Sequence, residues 1–433
     1  MELQLRKGDV TVSTMVFRFL LAFAIILLTF GLLYDPFPQL VEGIHHIYTS
    51  PDGLITDYVE LAGIGAAFVN SGFMMMLTIF WIKSLKIPFH GSSIAGTFIV
   101  AGFALFGKNL FAILPFIAGV YLYAWVKKEP VKKYAFVAIF GTCMSPMVSE
   151  VFFYAGFDPT LGAILAVLIG IAVGFILPPI AGFTMKVHQG YNLYNVGFAA
   201  GFIGTMVLSI LKNFGFQVTL RDIWNTGNNH VFVWFLLATF SLMIVFAVVK
   251  DRGSWKRGIH ISRHSGRAVS DFIVRDGFYA TLVNMGLLGL MTTGFLLFVG
   301  ADLNGPTIGG ILTIVGFAAF GKTVRNVSHV FLAALIGSAL GMWDLTRPII
   351  ILGALFGTGI APIGGQFGLG WGVIATMIHI SIVQNLGPLH GGLNLYNNGF
   401  SGGFVAILLV PVIEALRGGK LNADAREEDT KNY

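Results

Sequence analysis

Two stretches of the chain carry the same polar groups in the same order. One runs His188-Gln-Gly-Tyr-Asn-Leu-Tyr-Asn-Val-Gly-Phe198, the other His390-Gly-Gly-Leu-Asn-Leu-Tyr-Asn-Asn-Gly-Phe400. Each sets an imidazole, two amides (Asn192 and Asn195; Asn394 and Asn397) and a phenol (Tyr194; Tyr396) among small residues. Amide oxygens can hold a cation or a neutral polar solute, whereas amide and imidazole N–H groups can donate to a carboxylate. If the stretch is helical, Asn192 and Asn195 share a face, as do Asn394 and Asn397. Polar groups at membrane depth are costly and usually functional. The bland alternative is that they bond across a packed bundle and act as glue. Substrate binding is the reading adopted for all eight residues of the two motifs.

Two further constellations also come in pairs. Gly141-Thr142-Cys-Met-Ser-Pro146 and Gly357-Thr358-Gly-Ile-Ala-Pro362 each interrupt an apolar run. Proline has no N–H and frees a carbonyl, and freed backbone cannot face lipid. Matched interruptions in two halves point to discontinuous helices at a solute or ion site, with Thr142, Pro146, Thr358 and Pro362 at the breaks; a simple kink is the alternative. Glu150, just after the first break, is a candidate for coupling to Na⁺ or H⁺. Its repeat position is Gln366, so that role would be one-sided. His90 and Asn304 open two short apolar segments, where helix N-termini would offer free N–H groups to an anion. Lys108 and Lys322 close the same segments and are expected to snorkel to an interface. His379 is expected to be a packing residue.

The elements that must hold these groups follow from composition. Of 433 residues, 55% are hydrophobic and 11% charged, against about 25% charge in a soluble domain. A soluble enzyme, a nucleic-acid binder and a disordered regulator are excluded; the chain is a polytopic membrane protein. Apolar segments lie near 15–34, 58–82, 92–106, 109–126, 134–155, 160–180, 190–212, 230–249, 271–300, 306–320, 328–343, 347–366, 371–386 and 393–416. Those at 92–106 and 306–320 are short enough for half-helices or re-entrant hairpins. Arg6, Lys7 and the apolar run to Leu33, with no small-residue cleavage site, read as a retained first helix. Lys127, Lys128, Lys132, Lys133, the 250–270 cluster, Lys420 and Arg426 mark the cytoplasmic side, and the acidic 35–57 loop falls outside.

Repeats set the architecture. The His/Asn/Tyr motifs are 202 residues apart. Gly91-x-x-Ile-x-Gly96…Gly102-Phe-Ala-x-Phe-Gly-Lys108 matches Gly305-x-x-Ile-x-Gly310…Gly316-Phe-Ala-x-Phe-Gly-Lys322 at 214, as Val69-Asn70-x-Gly72 matches Val283-Asn284-x-Gly286. The breaks match at 216. The chain divides into a tail (1–14), a first repeat (15–215), an extracytoplasmic loop (216–229), a second repeat (230–417, including the basic loop 250–270) and a second tail (418–433). Seven segments per half would turn the second repeat upside down. The fold predicted is therefore all-α, with two inverted-topology repeats and short or broken helices near the bilayer midplane.

Phe89-His90-Gly91-Ser92 and the Asn-Leu-Tyr-Asn-x-Gly-Phe pair resemble an uncharacterised family of bacterial integral-membrane proteins grouped under a domain of unknown function. The resemblance spans nearly the whole chain and implies a bacterial inner membrane, but no substrate. A fainter similarity is to urea transporters, which have inverted halves and a polar helix start before a Gly-rich span. Their Asn-Pro start is replaced here by His90-Gly91 and Asn304-Gly305, and urea is not carried over.

The expected function is secondary transport of a small polar solute, more anionic than cationic, by alternating access. The alternatives are a passive channel for a small neutral or anionic solute and a membrane sensor or assembly protein. Enzyme motifs are absent: Gly316-Phe-Ala-Ala-Phe-Gly-Lys322-Thr323 has phosphate-loop spacing but lies in an apolar segment. No metal or organic cofactor is expected, and the single Cys143 excludes an internal disulfide. Expected partners are the solute and membrane lipid, with a homo-oligomer open.

Overall fold

The computed structural model describes residues 7–218 and 221–417. The expected tail at 418–433 and Arg6, Lys420 and Arg426 lie outside the described residues. Among the described residues ten helices are long and apolar enough to cross a membrane, and four more apolar helices are shorter. Together they account for the fourteen apolar segments, and the chain is an all-α, polytopic membrane protein.

The first half contains α1 (Lys7–Tyr34), α2 (Phe37–Thr49), α3 (Tyr58–Ala62), α4 (Ile64–Ser84), α5 (Gly91–Phe103), α6 (Leu110–Val126), α7 (Ala135–Gly141), α8 (Ser145–Phe152), α9 (Pro159–Val187) and α10 (Asn195–Asn213). The second contains α11 (Asn229–Lys250), α12 (Ser254–His260), α13 (Phe272–Arg275), α14 (Phe278–Phe298), α15 (Gly305–Phe317), α16 (Val324–Ala339), α17 (Pro348–Gly357), α18 (Ala361–Phe367), α19 (Leu369–His390) and α20 (Asn397–Leu416). The matched motifs fall on α4 and α14, α5 and α15, α7–α8 and α17–α18, and α10 and α20. Two helices lie where loops were expected: α2 in the 35–57 segment and α12 in the basic loop. The buried Leu40, Gly43 and Ile47 show the three-to-four-residue spacing that could have revealed α2.

Burial sorts the helices into a rim and a centre. Only 28–33% of the most apolar window is buried in α1, α9 and α11, against 83% in the Pro348–Phe367 span. The rim helices expose Leu, Ile and Phe, as lipid-facing surfaces must. At the centre α5 and α15 lie side by side. A Cβ on Gly102 would come within 2.6 Å of the Gly309 carbonyl, and one on Gly309 equally close to the Gly102 carbonyl. Only residues without side chains permit this approach. Gly316 likewise packs on Ala95 and Phe98. Residue numbers rise along one helix as they fall along the other, so the two are antiparallel. Thirteen residues each make them about 20 Å long at 1.5 Å per residue, against about 30 Å of hydrocarbon.

The molecule has two chemically distinct ends. Ser13, Phe89, His90 and Asp271 meet at one, with Lys83 over the Phe17 ring, and this is the basic end. Asp35, Asp52, Asp57, Asn225 and Asp302 gather at the other, where Ile55–Thr56 pairs in parallel with Asp222–Ile223.

Candidate functional site

The two short helices end inside the protein, and this decides where their lysines go. After α5 the chain turns at Gly107 (φ +72°), and after α15 at Gly321 (φ +106°), conformations that favour glycine. Each turn is pinned by an amide from the Val-Asn-x-Gly match. Asn70 Nδ2 donates to the carbonyls of Ala104 (2.7 Å) and Lys108 (3.0 Å), and Asn284 Nδ2 to those of Ala318 and Lys322 (both 2.9 Å). Lys108 and Lys322 are thereby turned inwards and are 0% exposed. The expectation that they snorkel is corrected: a helix of about 20 Å does not carry its last turn to an interface.

Each lysine nitrogen meets the helix interruption of its own half. Lys108 Nζ donates to Thr142 Oγ1 (2.9 Å), and Lys322 Nζ to Thr358 Oγ1 (2.7 Å). The interruptions are gentler than the unwound breaks expected. Each is one 3₁₀ turn, Thr142–Met144 or Thr358–Ile360, after which Pro146 or Pro362 sits in the first turn of the next helix. A proline there has no hydrogen bond to lose. The Cys143 and Gly359 carbonyls accept from Leu395 N and Leu193 N, both at 2.9 Å. Those donors belong to the His/Asn/Tyr motif of the opposite half, so the halves interlock.

The motif tyrosines complete the picture. Lys322 Nζ donates to Tyr194 OH at 2.5 Å, and its ammonium lies 4.7 Å from the centre of that ring. Lys108 Nζ lies 5.6 Å from the Tyr396 ring centre, and the Tyr396 hydroxyl is buried with no hydrogen-bond partner among the described residues. Lysine and threonine from one half thus face tyrosine from the other, twice. Among the described residues no carboxylate pairs with either lysine. Two cavities of about 20 and 10 Å³ adjoin here, sharing Phe356, Leu395 and Asn398. Each has room for about one water molecule. Tyr194 and Tyr396 both line the smaller.

The remaining motif residues hold this arrangement in place. Asn192 and Asn394 precede the helices rather than lying on them, so they do not share a face with Asn195 and Asn397. Asn192 accepts from Tyr194 N and donates to Gly399 O (2.9 Å); Asn394 accepts from Tyr396 N and donates to Gly197 O (3.3 Å). Asn195 and Asn397 cap their motifs through His188 (2.8 Å) and His390 (2.9 Å), and donate to Ala181 O and Val383 O. Their amides are engaged by the protein itself, and the tyrosines alone among the motif side chains approach the lysines.

His90 and Asn304 stand at the N-termini of α5 and α15, as expected, but those ends already hold an anion. Asp271 accepts from Gly91 N (2.8 Å) and Asp57 from Gly305 N (3.2 Å). Each aspartate also caps its own short helix, Asp271 on α13 and Asp57 on α3. They too are 214 apart and were missed in the sequence; the signal was there in Asp57-x₅-Gly63-x₆-Asn70 and Asp271-x₅-Gly277-x₆-Asn284. His90 Nδ1 lies 3.3 Å from Asp271. The expected solute position at these termini is filled by protein carboxylate.

Glu150 is not with the lysines. It lies 3.4 Å from Arg221 at the acidic end, and the Asp52 N–H donates to neighbouring Ser149 (2.9 Å). Asp52 is fully buried and accepts from Tyr58 OH (2.7 Å) and Asn109 Nδ2 (3.1 Å). Burial pushes its carboxyl up to about 7, against the lowering by Tyr58, and the Glu150 charge adds to the rise. A raised folded-state value means that the folded chain keeps a proton which the unfolded chain has released above about pH 4. Stability from this group is therefore present at low pH, is lost as pH rises from about 4 to about 7, and is flat above. Asp57, likewise raised to about 7 by burial, adds to that slope. Asp52→Asn is expected to make it shallower in thermal melts between about pH 4 and 8; an unchanged slope would refute the assignment.

Interlocked halves, buried paired lysines and a lipid-facing rim define a multi-pass helical membrane protein with a polar centre. The chain belongs to the family described as "Protein of unknown function (DUF1576)", whose model matches residues 38–213 and 250–415, one stretch in each half. Neither the curated proteins nor the solved structures contain a match.

Proposed function

We propose that the protein is a secondary transporter for a small anionic solute, working by alternating access in a bacterial cytoplasmic membrane with its basic end inside. One observation carries this reading: two buried lysines at repeat-equivalent positions, each without a carboxylate partner among the described residues and each facing a tyrosine of the other half. An ammonium withdrawn from water without a counter-charge is costly, and an anionic solute supplies that charge.

Inverted repeats fit the packing. In α10 and α20, Gly197 meets Gly399, its own repeat mate, while Gly201 meets Phe400 and Phe198 meets Gly403. These spans too are antiparallel, so a two-fold relating them is perpendicular to them and lies in the membrane plane. The halves also differ in state. The Lys322–Tyr194 bond is made, and the Tyr396 hydroxyl beside Lys108 has no hydrogen-bond partner among the described residues. Exchange of that difference between halves is the movement alternating access requires. Asn192, Asn195, Asn394, Asn397, His188 and His390 position the tyrosines, while Glu150 with Asp52 serves coupling to H⁺ or Na⁺ at the acidic end.

The test is thermal stabilisation of the purified protein by propionate, lactate, succinate, phosphate, chloride and urea, each with and without Na⁺ and at two pH values. A ligand at 100 times its Kd stabilises by about 2.7 kcal/mol. Stabilisation by one class of anion supports the proposal; stabilisation by urea alone, or by nothing, overturns it.

A further inference from the structure

The repeat is broken at one place beside the central cavities. Asn398 lines both of them, and its mate 202 residues earlier is Val196. His379, fully buried, has Leu177 as its mate at the same offset. The two sites are otherwise alike: a side chain on Gly357 would strike the His379 ring, as one on Gly141 would strike Leu177. An apolar pair in the first half is thus a hydrogen-bonded pair in the second, with His379 Nε2 3.0 Å from Asn398 Oδ1.

That bond fixes the amide. An amide oxygen only accepts, so His379 donates through Nε2 and holds Oδ1 towards itself. Nδ2, with two N–H donors, has no hydrogen bond among the described residues, and the residue that carries it lines both cavities. Nothing in the scaffold demands this pair, since the first half packs the same corner with leucine and valine. A fully buried imidazole and a partly buried amide where hydrocarbon suffices are costly unless they bind something.

We infer that Asn398, oriented by His379, is the specificity-determining residue of the site and takes a small carboxylate bearing a second hydrogen-bond-accepting oxygen. The inference rests on the anion reading above: Lys108 and Tyr396 receive the carboxylate, and Asn398 Nδ2 donates to the second oxygen. As they stand the two cavities hold about one water each, so the solute enters only with the movement proposed above. A 2-hydroxy or 2-oxo monocarboxylate supplies both acceptors, and a plain fatty acid of equal size leaves Nδ2 unsatisfied. Sites built to hydrogen-bond a polar group discriminate strongly against analogues that lack it.

The experiment compares lactate and pyruvate with propionate by titrated thermal shift of the full chain. The variants are Asn398→Val, His379→Leu and the two together. The double variant installs the pair that the first half already packs, which guards its folding. The wild type is expected to prefer lactate or pyruvate by at least about tenfold in Kd. That ratio is expected to fall to about one in Asn398→Val and in the double variant, and to fall in His379→Leu. A wild type that binds all three equally, or a preference that survives Asn398→Val, overturns this inference and leaves the anion site standing. A wild type that responds to none of the three carboxylates overturns the inference, and with stabilisation by chloride or phosphate instead, the anion reading survives alone.

Discussion

Lys108→Met and Lys322→Met are expected to fold at least as stably as the wild type and to lose anion binding by about 100-fold, the scale set by removing one member of a buried charged contact. The two halves of this expectation have opposite signs. Methionine reproduces the length of the lysine stem and abolishes a buried charge whose hydrogen bonds among the described residues go only to hydroxyls: Thr142 for one, Thr358 and Tyr194 for the other. Replacing buried charge by apolar groups of similar volume is often neutral or stabilising. Binding suffers because the solute then brings its charge to a site with none to meet it. Lysines that were merely structural would give the reverse, with melting temperature falling and anion response intact. Lys322→Arg is a stringent companion, since a planar guanidinium does not reproduce a point charge held between Thr358 and Tyr194. Melting curves with and without the stabilising anion separate these results.

Asp57→Ala is expected to destabilise the protein by about 3–7 kcal/mol. The helix cap on α3 is worth about 1 kcal/mol, and each buried N–H left without an acceptor costs about 1–3 kcal/mol. Two are exposed to that cost, Asn225 N at 3.0 Å and Gly305 N at 3.2 Å. Asp271→Ala removes the equivalent carboxylate at the basic end and is expected to cost less. Asp271 keeps 14% of its side-chain surface and His90 34%, so water can replace it, whereas Asp57 is 0% exposed. Equal losses for the two variants in denaturation experiments would refute the idea that burial, rather than the cap itself, sets the difference.

The class of fold and the pairing of motifs are legible in the sequence, because apolar length and repetition are one-dimensional properties. The partnerships are not. Lys108 follows an apolar run of ordinary appearance, and only the packing of α5 against α15 shows that the run stops inside the protein. Asn192 and Asn195 look like ligands because polar groups at membrane depth are rare. Their hydrogen bonds go to Gly399, Ala181 and His188, and two of these partners lie on other elements. His379 looks like packing because its significance lies in what its repeat mate is not. Glu150 stands out in the sequence as an ionisable residue just after a helix break, but its partner Arg221 lies 71 residues away across a stretch with no repeat counterpart.

The crossed bonds between Leu193 and Gly359 and between Leu395 and Cys143 bear on ancestry. On the inverted arrangement proposed above, a gene encoding one half alone yields a chain whose lysine has no tyrosine and whose interrupted helix keeps a bare carbonyl. Both deficits vanish when a second copy inserts in the opposite sense and clasps the first. The progenitor of this protein was then an antiparallel homodimer with no fixed orientation in the bilayer. Fusion of two copies let each half drift separately, and the replacement of a leucine–valine corner by histidine and asparagine became possible only after that.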